Sequence, residues 1–325
     1  TNHYEWYISA IITGNGVLDH HEWAEGQSVG VCSLSDVPKL KISQRGFLTI
    51  SQCALGFLCV IVVSGALVRL TGSGLGCVDW PGCSETQFVD VSTGHTAIEQ
   101  INRLFTGVVS AAVAASALGS FLVSPRRRSM ILLAVGLVVG VLVQVLLGAV
   151  VVLTGLNPWS NMAHFLVSMV LITMAVLLVD QAKQSGEEKP ESEDRLSSSS
   201  RQIVNLIMAL CGLAIVFGTL VTGTGPHAGD ENAVRLDYDL RTITRVHSVT
   251  VLICVGLTIL LFLRIKKNAK EWHVLGRPLE VFLGAAVAQG ALGYFQYYSG
   301  VPAQLVAIHI ALAVAVWISV LRLGL

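Results

Sequence analysis

The chain has 325 residues, of which 53% are hydrophobic and only 13% are charged, and its mean hydropathy is +0.67. Soluble globular proteins carry about 25% charged residues, so this composition excludes an ordinary soluble domain and indicates a polytopic membrane protein. The formal net charge of zero says little about partners, because the charges are segregated between the two sides of the membrane. No basic patch with interleaved aromatic residues occurs, so we expect no nucleic acid partner.

The first 45 residues are predicted to form a poorly ordered cytoplasmic tail. They show neither the apolar core of a signal peptide nor the Arg-rich bias of a transit peptide. His20 and His21 beside Trp23 could bind a metal ion, but one pair of histidines is weak evidence for such a site. We expect Cys32, in the same segment, to be reduced.

Eight apolar stretches follow, each near the roughly 20 residues that cross a bilayer as a helix. Four precede and four follow a polar, Ser-rich segment at 181–202, which we interpret as a cytoplasmic linker. The predicted spans are 46–70, 100–123, 129–153, 161–180, 203–224, 242–264, 277–298 and 303–322. The sequence therefore predicts an all-α polytopic membrane protein with two tandem four-helix units, 46–180 and 203–325.

The two units are copies of one another. Gln144, Leu147, Gly148, Gly155 and His164 recur 145 positions later as Gln289, Leu292, Gly293, Gly300 and His309. Seven residues around Gly65 recur around Gly218, 153 positions later. Internal repeats of this kind place binding sites at or between the halves of membrane proteins, and a repeated intramembrane histidine is a candidate site residue.

The distribution of cationic residues predicts the orientation. With a cytoplasmic N-terminus, the inner segments hold 16 of the 21 Lys and Arg residues, as the positive-inside rule requires. Both termini are then cytoplasmic, in a plasma membrane. The other five cations, at the outer side, are Arg69, Arg103, Arg235, Arg241 and Arg245.

Two of the seven cysteines lie in the first outer loop, Cys77-Val-Asp-Trp-Pro-Gly-Cys83. Trp80-Pro81-Gly82 supplies a turn, and the outer compartment permits disulfides, so we favour a disulfide over two free thiols or a metal site. The spacing is compatible with either a structural or a redox-active bond. The four cysteines inside the spans are interpreted as small buried hydrophobic residues.

Polar side chains gather in the outer third of the membrane, on the even-numbered helices. They are Glu99, Asn102, Arg103, His164, His247 and His309, and Asn102 is the repeat counterpart of His247. Two neutral imidazoles on facing helices can ligate haem iron from both sides, and helix bundles commonly house such cofactors. Arg69, Arg103, Arg241 and Arg245 would then meet the propionates at the water boundary.

Each residue also has a simpler interpretation. A single intramembrane histidine can be a hydrogen-bonded packing residue, Glu99 can merely neutralise Arg103 one helical turn away, and the arginines can be interface anchors. The Gly-rich segments after residues 71 and 222 lack the βαβ context of a nucleotide loop.

The ordered combination of these motifs resembles the haem A synthase family across residues 46–322. It consists of Gly65-Ala-Leu-Val-Arg-Leu-Thr-Gly-Ser-Gly-Leu-Gly-Cys77, Trp80-Pro81, Cys83, Glu99-x-x-Asn102-Arg103, Gln144-x-x-x-Gly148, His164, Gly223-Thr-Gly-Pro-His-Ala-Gly229, Arg245-x-His247 and His309.

This resemblance implies eight transmembrane helices as two tandem pseudo-symmetric four-helix bundles, and an oxidoreductase that converts a ring methyl of haem O to the formyl group of haem A. It implies a haem b cofactor between His247 and His309, and a substrate site in the N-terminal bundle with Glu99, Asn102, Arg103 and His164. The paired loop cysteines of the family correspond to Cys77 and Cys83.

One position departs from the family. Asn102 stands where many members have a histidine, and an amide ligates haem iron poorly. We therefore hypothesise an asymmetric enzyme, in which the substrate haem has one strong ligand, His164, and an open opposite face. Glu99 is the candidate for handling protons beside the reacting methyl.

Two other classes of protein remain to be considered. A haem b electron-transfer protein that reacts with quinone would need the same histidines but no substrate pocket, and a transporter would call for broken helices and midplane charges. As partners we expect haem O, a haem O synthase, membrane lipid and an unidentified electron acceptor or donor. A homo-oligomer is left open.

Overall fold

A computed structural model describes residues 41–184 and 196–325 of the chain. Eight helices account for most of these residues. They are α1 (Gln44–Leu70), α2 (Gly94–Leu122), α3 (Arg128–Leu153), α4 (Pro158–Gln184), α5 (Ser198–Thr224), α6 (Leu240–Ile265), α7 (Ala269–Tyr298) and α8 (Ala303–Leu321).

Seven of these eight helices are long and apolar enough to cross a bilayer, so the chain is a multi-pass membrane protein. The exception among the described residues is α7, for which the sequence predicts a membrane span over 277–298. It begins earlier, at Ala269, and its first twelve residues carry Lys270, Glu271, Arg277 and Glu280. The remaining residues, 281–298, carry no charge but include Gln289, Gln296 and three tyrosines, so no part of α7 is both long and apolar enough to count as a membrane span.

The helices of each half contact one another in the same order. In the first half, α1 and α3 each pack against both α2 and α4, and in the second half α5 and α7 each pack against both α6 and α8. The halves meet through α1 with α8, α4 with α5, and α4 with α8. The helices α6 and α8, which carry two of the predicted site histidines, make no direct contact within the described residues, nor do α2 and α4.

Turns of the same conformation join α3 to α4 and α7 to α8. Gly155 and Leu156 have φ values of 62° and 62°, and their counterparts Gly300 and Val301 have 80° and 58°. The Leu156 amide donates to the Val151 carbonyl at 2.8 Å, and the Val301 amide donates to the Gln296 carbonyl at 2.9 Å. A branched residue at positive φ is uncommon and strained, so its recurrence at the same place supports a common origin of the two turns.

The end of the helices that carries the 71–93 loop, hereafter the disulfide end, is also where the two halves are joined by hydrogen bonds. Arg69, in the last turn of α1, donates from Nη2 to the Thr222 carbonyl at 2.6 Å. Thr222 is the repeat counterpart of Arg69. The Gly74 amide donates to the Gly229 carbonyl at 2.9 Å, close to the side chain of Leu156. These two hydrogen bonds, hereafter the seam between the halves, fix the loops that surround the predicted site.

The boundaries of the linker differ from the prediction. Residues 181–184 belong to α4 and residues 198–202 to α5, because the Ser-rich stretch supplies an N-cap, Ser197, whose hydroxyl accepts from the Ser200 amide. The remainder of the linker, 185–195, and the predicted tail up to residue 40, with His20, His21, Trp23 and Cys32, lie outside the described residues.

Candidate functional site

His247 lies near the disulfide end of α6, with its ring turned towards α5. Its Nδ1 is 2.9 Å from the Ala214 carbonyl, a contact that requires the proton on Nδ1. A methyl group placed on Gly218 would lie 3.3 Å from His247 Cε1, so the absence of a side chain at this glycine leaves room for the ring. The other nitrogen, Nε2, is therefore the one left unprotonated and able to bind a metal ion.

His309 lies on α8, and its ring packs against a glycine of α7 in the same way. A methyl group on Gly293 would lie 3.1 Å from His309 Cε1, and Gln289, one turn before Gly293, donates from Nε2 to the His309 carbonyl at 3.0 Å. The Nδ1 atom of His309 is buried without a hydrogen-bond partner. Because α6 and α8 are separated by α5 and α7, the two imidazoles come from opposite sides of one ring of helices.

These residues fit an iron porphyrin better than a bare metal ion. No group of three or more His, Cys, Asp or Glu side chains is placed to hold a metal ion within residues 41–184 and 196–325. Two imidazoles on separated helices, each with a glycine beside it, instead match the ligand set of a bis-His haem, whose other four ligands come from the porphyrin. The apolar walls of the helices suit the macrocycle.

The first half contains one imidazole in the equivalent position. His164 on α4 is seated on α3, where a methyl group on Gly148 would lie 3.7 Å from His164 Cε1. Gln144 donates from Nε2 to the His164 carbonyl at 2.9 Å, and Ser168 donates to the same carbonyl, also at 2.9 Å. As in the second half, the histidine Nδ1 is buried without a partner.

Asn102 occupies the place of His247 in the first half, and its surroundings are open. Its Oδ1 accepts a hydrogen bond from the Ser64 hydroxyl at 2.7 Å, and a methyl group on Gly65 would meet nothing within 4 Å. A shallow, open apolar depression lies along the surface of α1 beside Ser64. Its lining consists of Cys59, Val60, Val63, Ser64 and Leu67.

Glu99 and Arg103 hold the loop that closes the disulfide end of the first half. Both are in the first turns of α2, and Arg103 donates to Glu99 Oε1 from Nη2 at 2.6 Å and from Nε at 3.0 Å. The other carboxylate oxygen accepts from the Cys77 amide at 2.8 Å. Arg103 also donates from Nη1 to the carbonyls of Asp79 and Gly82, both at 3.0 Å.

The loop itself is closed by a Cys77–Cys83 disulfide with a Cα–Cα distance of 4.3 Å, which confirms the predicted pairing. Both cysteines are buried. The predicted proximity of Glu99 to Arg103 is also present, since the two side chains form an ion pair. Because both partners also bond to main-chain atoms of the loop, the pair and the disulfide together fix the path of the loop over α2.

The predicted outer arginines are in different environments. Arg69 is tied to Thr222 across the seam, and Arg103 is occupied by the disulfide loop. Arg241 and Arg245, in the first two turns of α6, are exposed, with side chains available to a ligand at the disulfide end. Arg235, the fifth, donates to the Gly225 carbonyl. Three of the five predicted outer arginines therefore have backbone partners, and the other two are exposed.

Three residues that contact the site are not identified by sequence reasoning. Ser64 gives no sequence signal, because a lone serine in an apolar helix is common. Gln144 and Gln289 stand out only as markers of the repeat, although each precedes its histidine by twenty residues. Each glutamine thus stands at the same distance in sequence from the histidine on the next helix. That shared spacing is the signal that could have identified the glutamines as partners of the histidines.

Comparison with known proteins shows the family of the chain. The profile of the cytochrome oxidase assembly protein family COX15-CtaA matches residues 48–96 and 87–321. A heme A synthase from Listeria welshimeri is 35% identical over 122 residues, 37% of this chain and 40% of that protein. One from Bacillus pumilus is 35% identical over 131 residues, 39% of this chain and 42% of that protein.

A third heme A synthase, from Alkalihalophilus pseudofirmus, is 28% identical over 163 residues, 50% of this chain and 54% of that protein. The chain thus spans between two fifths and about half of the length of these curated relatives. The family profile extends over almost all the described helices, including the three site histidines and the disulfide loop. The chain therefore belongs to the cytochrome oxidase assembly protein family COX15-CtaA.

Proposed function

We propose that this protein is a haem A synthase, a membrane oxidoreductase that oxidises a ring methyl of haem O to a formyl group. The observation that carries the proposal is the contrast between the halves. The second half presents His247 and His309 from opposite helices, whereas the first half presents His164 alone, with Asn102 in the place of His247 and open space at Gly65. One half is thus suited to retain a haem and the other to admit one and leave a face accessible.

The architecture in this proposal is two tandem pseudo-symmetric four-helix bundles, 46–180 and 203–325. It is supported by the equivalent helix contacts in each half and by the repeated turn at Gly155-Leu156 and Gly300-Val301. The contacts between halves support a two-fold relation, because α1 with α8 and α4 with α5 are counterparts, and α4 meets its own counterpart α8.

In the second bundle, His247 and His309 would hold haem b through their Nε2 atoms. The Ala214 carbonyl fixes the ring orientation of His247 by accepting its Nδ1 proton. Arg241 and Arg245 are exposed at the same end and would neutralise the propionates. Haem with two histidine ligands supplies one-electron transfer, a chemistry suited to carrying electrons to or from the substrate site.

In the first bundle, His164 would bind the iron of the substrate haem O. Asn102 is held by Ser64 and supplies no strong ligand, so the opposite face of the substrate stays accessible to water or oxygen. Glu99 is the proposed proton acceptor beside the reacting methyl, and Arg103 orients its carboxylate by donating two hydrogen bonds to it. The clamped disulfide loop would limit access of bulk water to this site from the disulfide end.

Arg69 would hold the two sites at a fixed relative position through its bond to Thr222.

The proposal places the disulfide end at the extracytoplasmic face of a bacterial cell membrane, with both termini in the cytoplasm. The cation bias and the disulfide both support this orientation, since disulfides persist in oxidising compartments. Haem O is poorly soluble in water, so a haem O synthase is the proposed donor in the membrane. An electron acceptor or donor is also required.

The test is to purify the full chain from cells that supply haem and to add haem O. The proposal predicts a bound bis-His low-spin haem b by absorption and EPR, and haem A among the extracted pigments. A variant with His247→Ala and His309→Ala should lose the low-spin signal, while His164→Ala should keep it and lose conversion. Retention of the signal by the double variant contradicts the assignment. A low-spin haem without any haem A would instead favour an electron-transfer protein.

A further inference from the structure

The two halves share an unexplained arrangement behind their histidines. In each, a glutamine of the preceding helix donates its amide Nε2 proton to the backbone carbonyl of the histidine, at 2.9 Å for Gln144 with His164 and 3.0 Å for Gln289 with His309. The hydrogen bond recurs in both copies, between residues that are twenty positions apart in sequence. Packing alone does not require an amide at either position.

The same two pairs leave the same atoms without partners. Oε1 of each glutamine and Nδ1 of each histidine are buried and make no hydrogen bond. A buried donor or acceptor that stays unpaired destabilises the folded protein, because it has given up its bonds to water without replacing them. When Nε2 of a histidine binds iron, Nδ1 carries the proton and becomes a donor, so each site contains one unpaired donor and one unpaired acceptor.

The packing places these atoms on the same side of the ring. Gly293 follows Gln289 by one helical turn, and a methyl group on Gly293 would lie 3.1 Å from Cε1 and 3.6 Å from Nδ1 of His309. The Nδ1 edge of His309 therefore faces the helix that carries Gln289, and the amide is already anchored to the backbone of that histidine. In the first half, Gly148 likewise follows Gln144 by one turn and lies beside Cε1 of His164.

We propose that Gln289 and Gln144 are positioning residues, whose Oε1 accepts the Nδ1 proton of His309 and His164, directly or through one water molecule, when haem is bound. This inference rests on the proposed haem sites and assigns residues that orient their ligands. It also makes the two ligands of haem b unequal, because His247 donates to a backbone carbonyl that no substitution can remove, whereas the acceptor of His309 is a side chain.

The acceptor on Nδ1 sets how strongly an imidazole donates to iron. A stronger acceptor favours ferric iron and lowers the reduction potential, and removal of the acceptor raises it. Outer partners of metal-binding histidines are typically worth about 10- to 100-fold in affinity. If Gln289→Leu weakens ferric binding tenfold relative to ferrous binding, the potential rises by about 59 mV for one electron.

The experiment is a redox titration of the purified full chain, with EPR of the oxidised haem, for Gln289→Leu, Gln289→Glu and the matched control Gln144→Leu. We expect a raised potential and shifted g values in Gln289→Leu, a lowered potential in Gln289→Glu, and wild-type values in Gln144→Leu, which lies in the other half. Gln289→Glu keeps an acceptor but loses the donor to the His309 carbonyl, so a merely structural role would move the potential of both Gln289 variants in one direction.

Unchanged potentials in both Gln289 variants, or equal shifts in Gln144→Leu, would overturn the inference. If Gln289→Leu does not retain haem, the Gln289→Glu variant decides by the direction of its shift. The proposed function can fail separately. A wild-type protein without a bis-His haem would contradict both the proposed function and this inference. A bis-His haem that is insensitive to Gln289 would contradict only this inference.

Discussion

The two halves of the molecule carry one scaffold and two different sites. At the start of α2 the first half has Glu99, Asn102 and Arg103, and the counterparts on α6 are Thr244, His247 and Ser248. Thr244 merely bonds the Leu240 carbonyl one turn back, whereas Glu99 and Arg103 hold the disulfide loop. The first half thus combines one imidazole with a buried carboxylate, whereas the second half has two imidazoles and no carboxylate at the equivalent position.

Removal of the carboxylate is expected to have the largest effect on this contrast. Glu99→Gln should lower haem A formation by roughly 10²–10⁴-fold, the usual contribution of a general acid or base, without changing the haem b spectrum of the second half. Pigment extraction after haem O feeding measures the yield. Arg103→Gln is the control, since it also weakens the loop clamp but leaves the carboxylate. Equal losses in both variants would mean that Glu99 acts only by holding the loop.

Asn102→His would make the first half resemble the second. Gly65 leaves open space next to position 102, so a histidine there has room for its ring, as His247 has over Gly218. We expect a second bis-His signal in the presence of haem O and a conversion reduced roughly tenfold or more, because an open coordination position is lost. EPR and pigment analysis check both. Undiminished conversion with a bis-His substrate signal would refute the requirement for an open face.

The glycines beneath the rings give a smaller and more local contrast. Gly293→Ala places a methyl 3.1 Å from His309 Cε1, closer than ordinary contact, whereas Gly148→Ala places it 3.7 Å from His164 Cε1. Overpacking of this kind costs about 1–3 kcal/mol, so Gly293→Ala should lower haem content and the Tm of the haem-loaded protein. Gly148→Ala should fold and retain haem b as the wild type does. Equal behaviour of the two variants would contradict the difference in seating.

The smallest expected effect concerns the caps of α2 and α6. Thr93 caps α2 through a neutral hydroxyl, whereas Asp239 caps α6, and hydrogen bonds from the Thr242 hydroxyl and amide hold the pKa of the Asp239 carboxyl below its usual value. A lowered pKa means that this cap stabilises the folded state above the unfolded-state pKa of Asp and is lost as the pH falls through the lower, folded-state pKa.

Amide hydrogen exchange at Thr242 should therefore accelerate, relative to that at Thr96, when the pH is lowered into this acidic range. The variant Asp239→Asn keeps a capping oxygen and should remove the pH dependence. A parallel response of both amides would show that the carboxylate makes no separate contribution.

Much of this arrangement could be predicted from sequence, because it depends on patterns that physical chemistry makes regular. Apolar length located the helices, and the constant offset between His164 and His309 identified the repeat. The partners of side chains on different helices could not be predicted, since which face of α3 meets α4 depends on packing. Gln144, Gln289 and Ser64 were missed as contacts for that reason.

The polar start of α7 escapes the sequence pattern for a related reason. Its apolar second half dominates that pattern, but the helix also contains Lys270, Glu271 and Arg277, and Glu271 accepts hydrogen bonds from the Ser197 amide and the Ser200 hydroxyl. The polar first turns of α7 thus contact the start of α5, and a search for apolar stretches does not detect a helical segment of this kind.

The bond between Arg69 and its counterpart has a consequence for how the duplicated copies diverge. Arg69 binds the main-chain carbonyl of Thr222, an oxygen that every amino acid supplies. The bond across the halves therefore does not depend on which side chain stands at 222, whereas it requires a long donor at position 69. Because the constraint lies on one residue only, the interiors of the two halves can differ while this bond between the halves is kept.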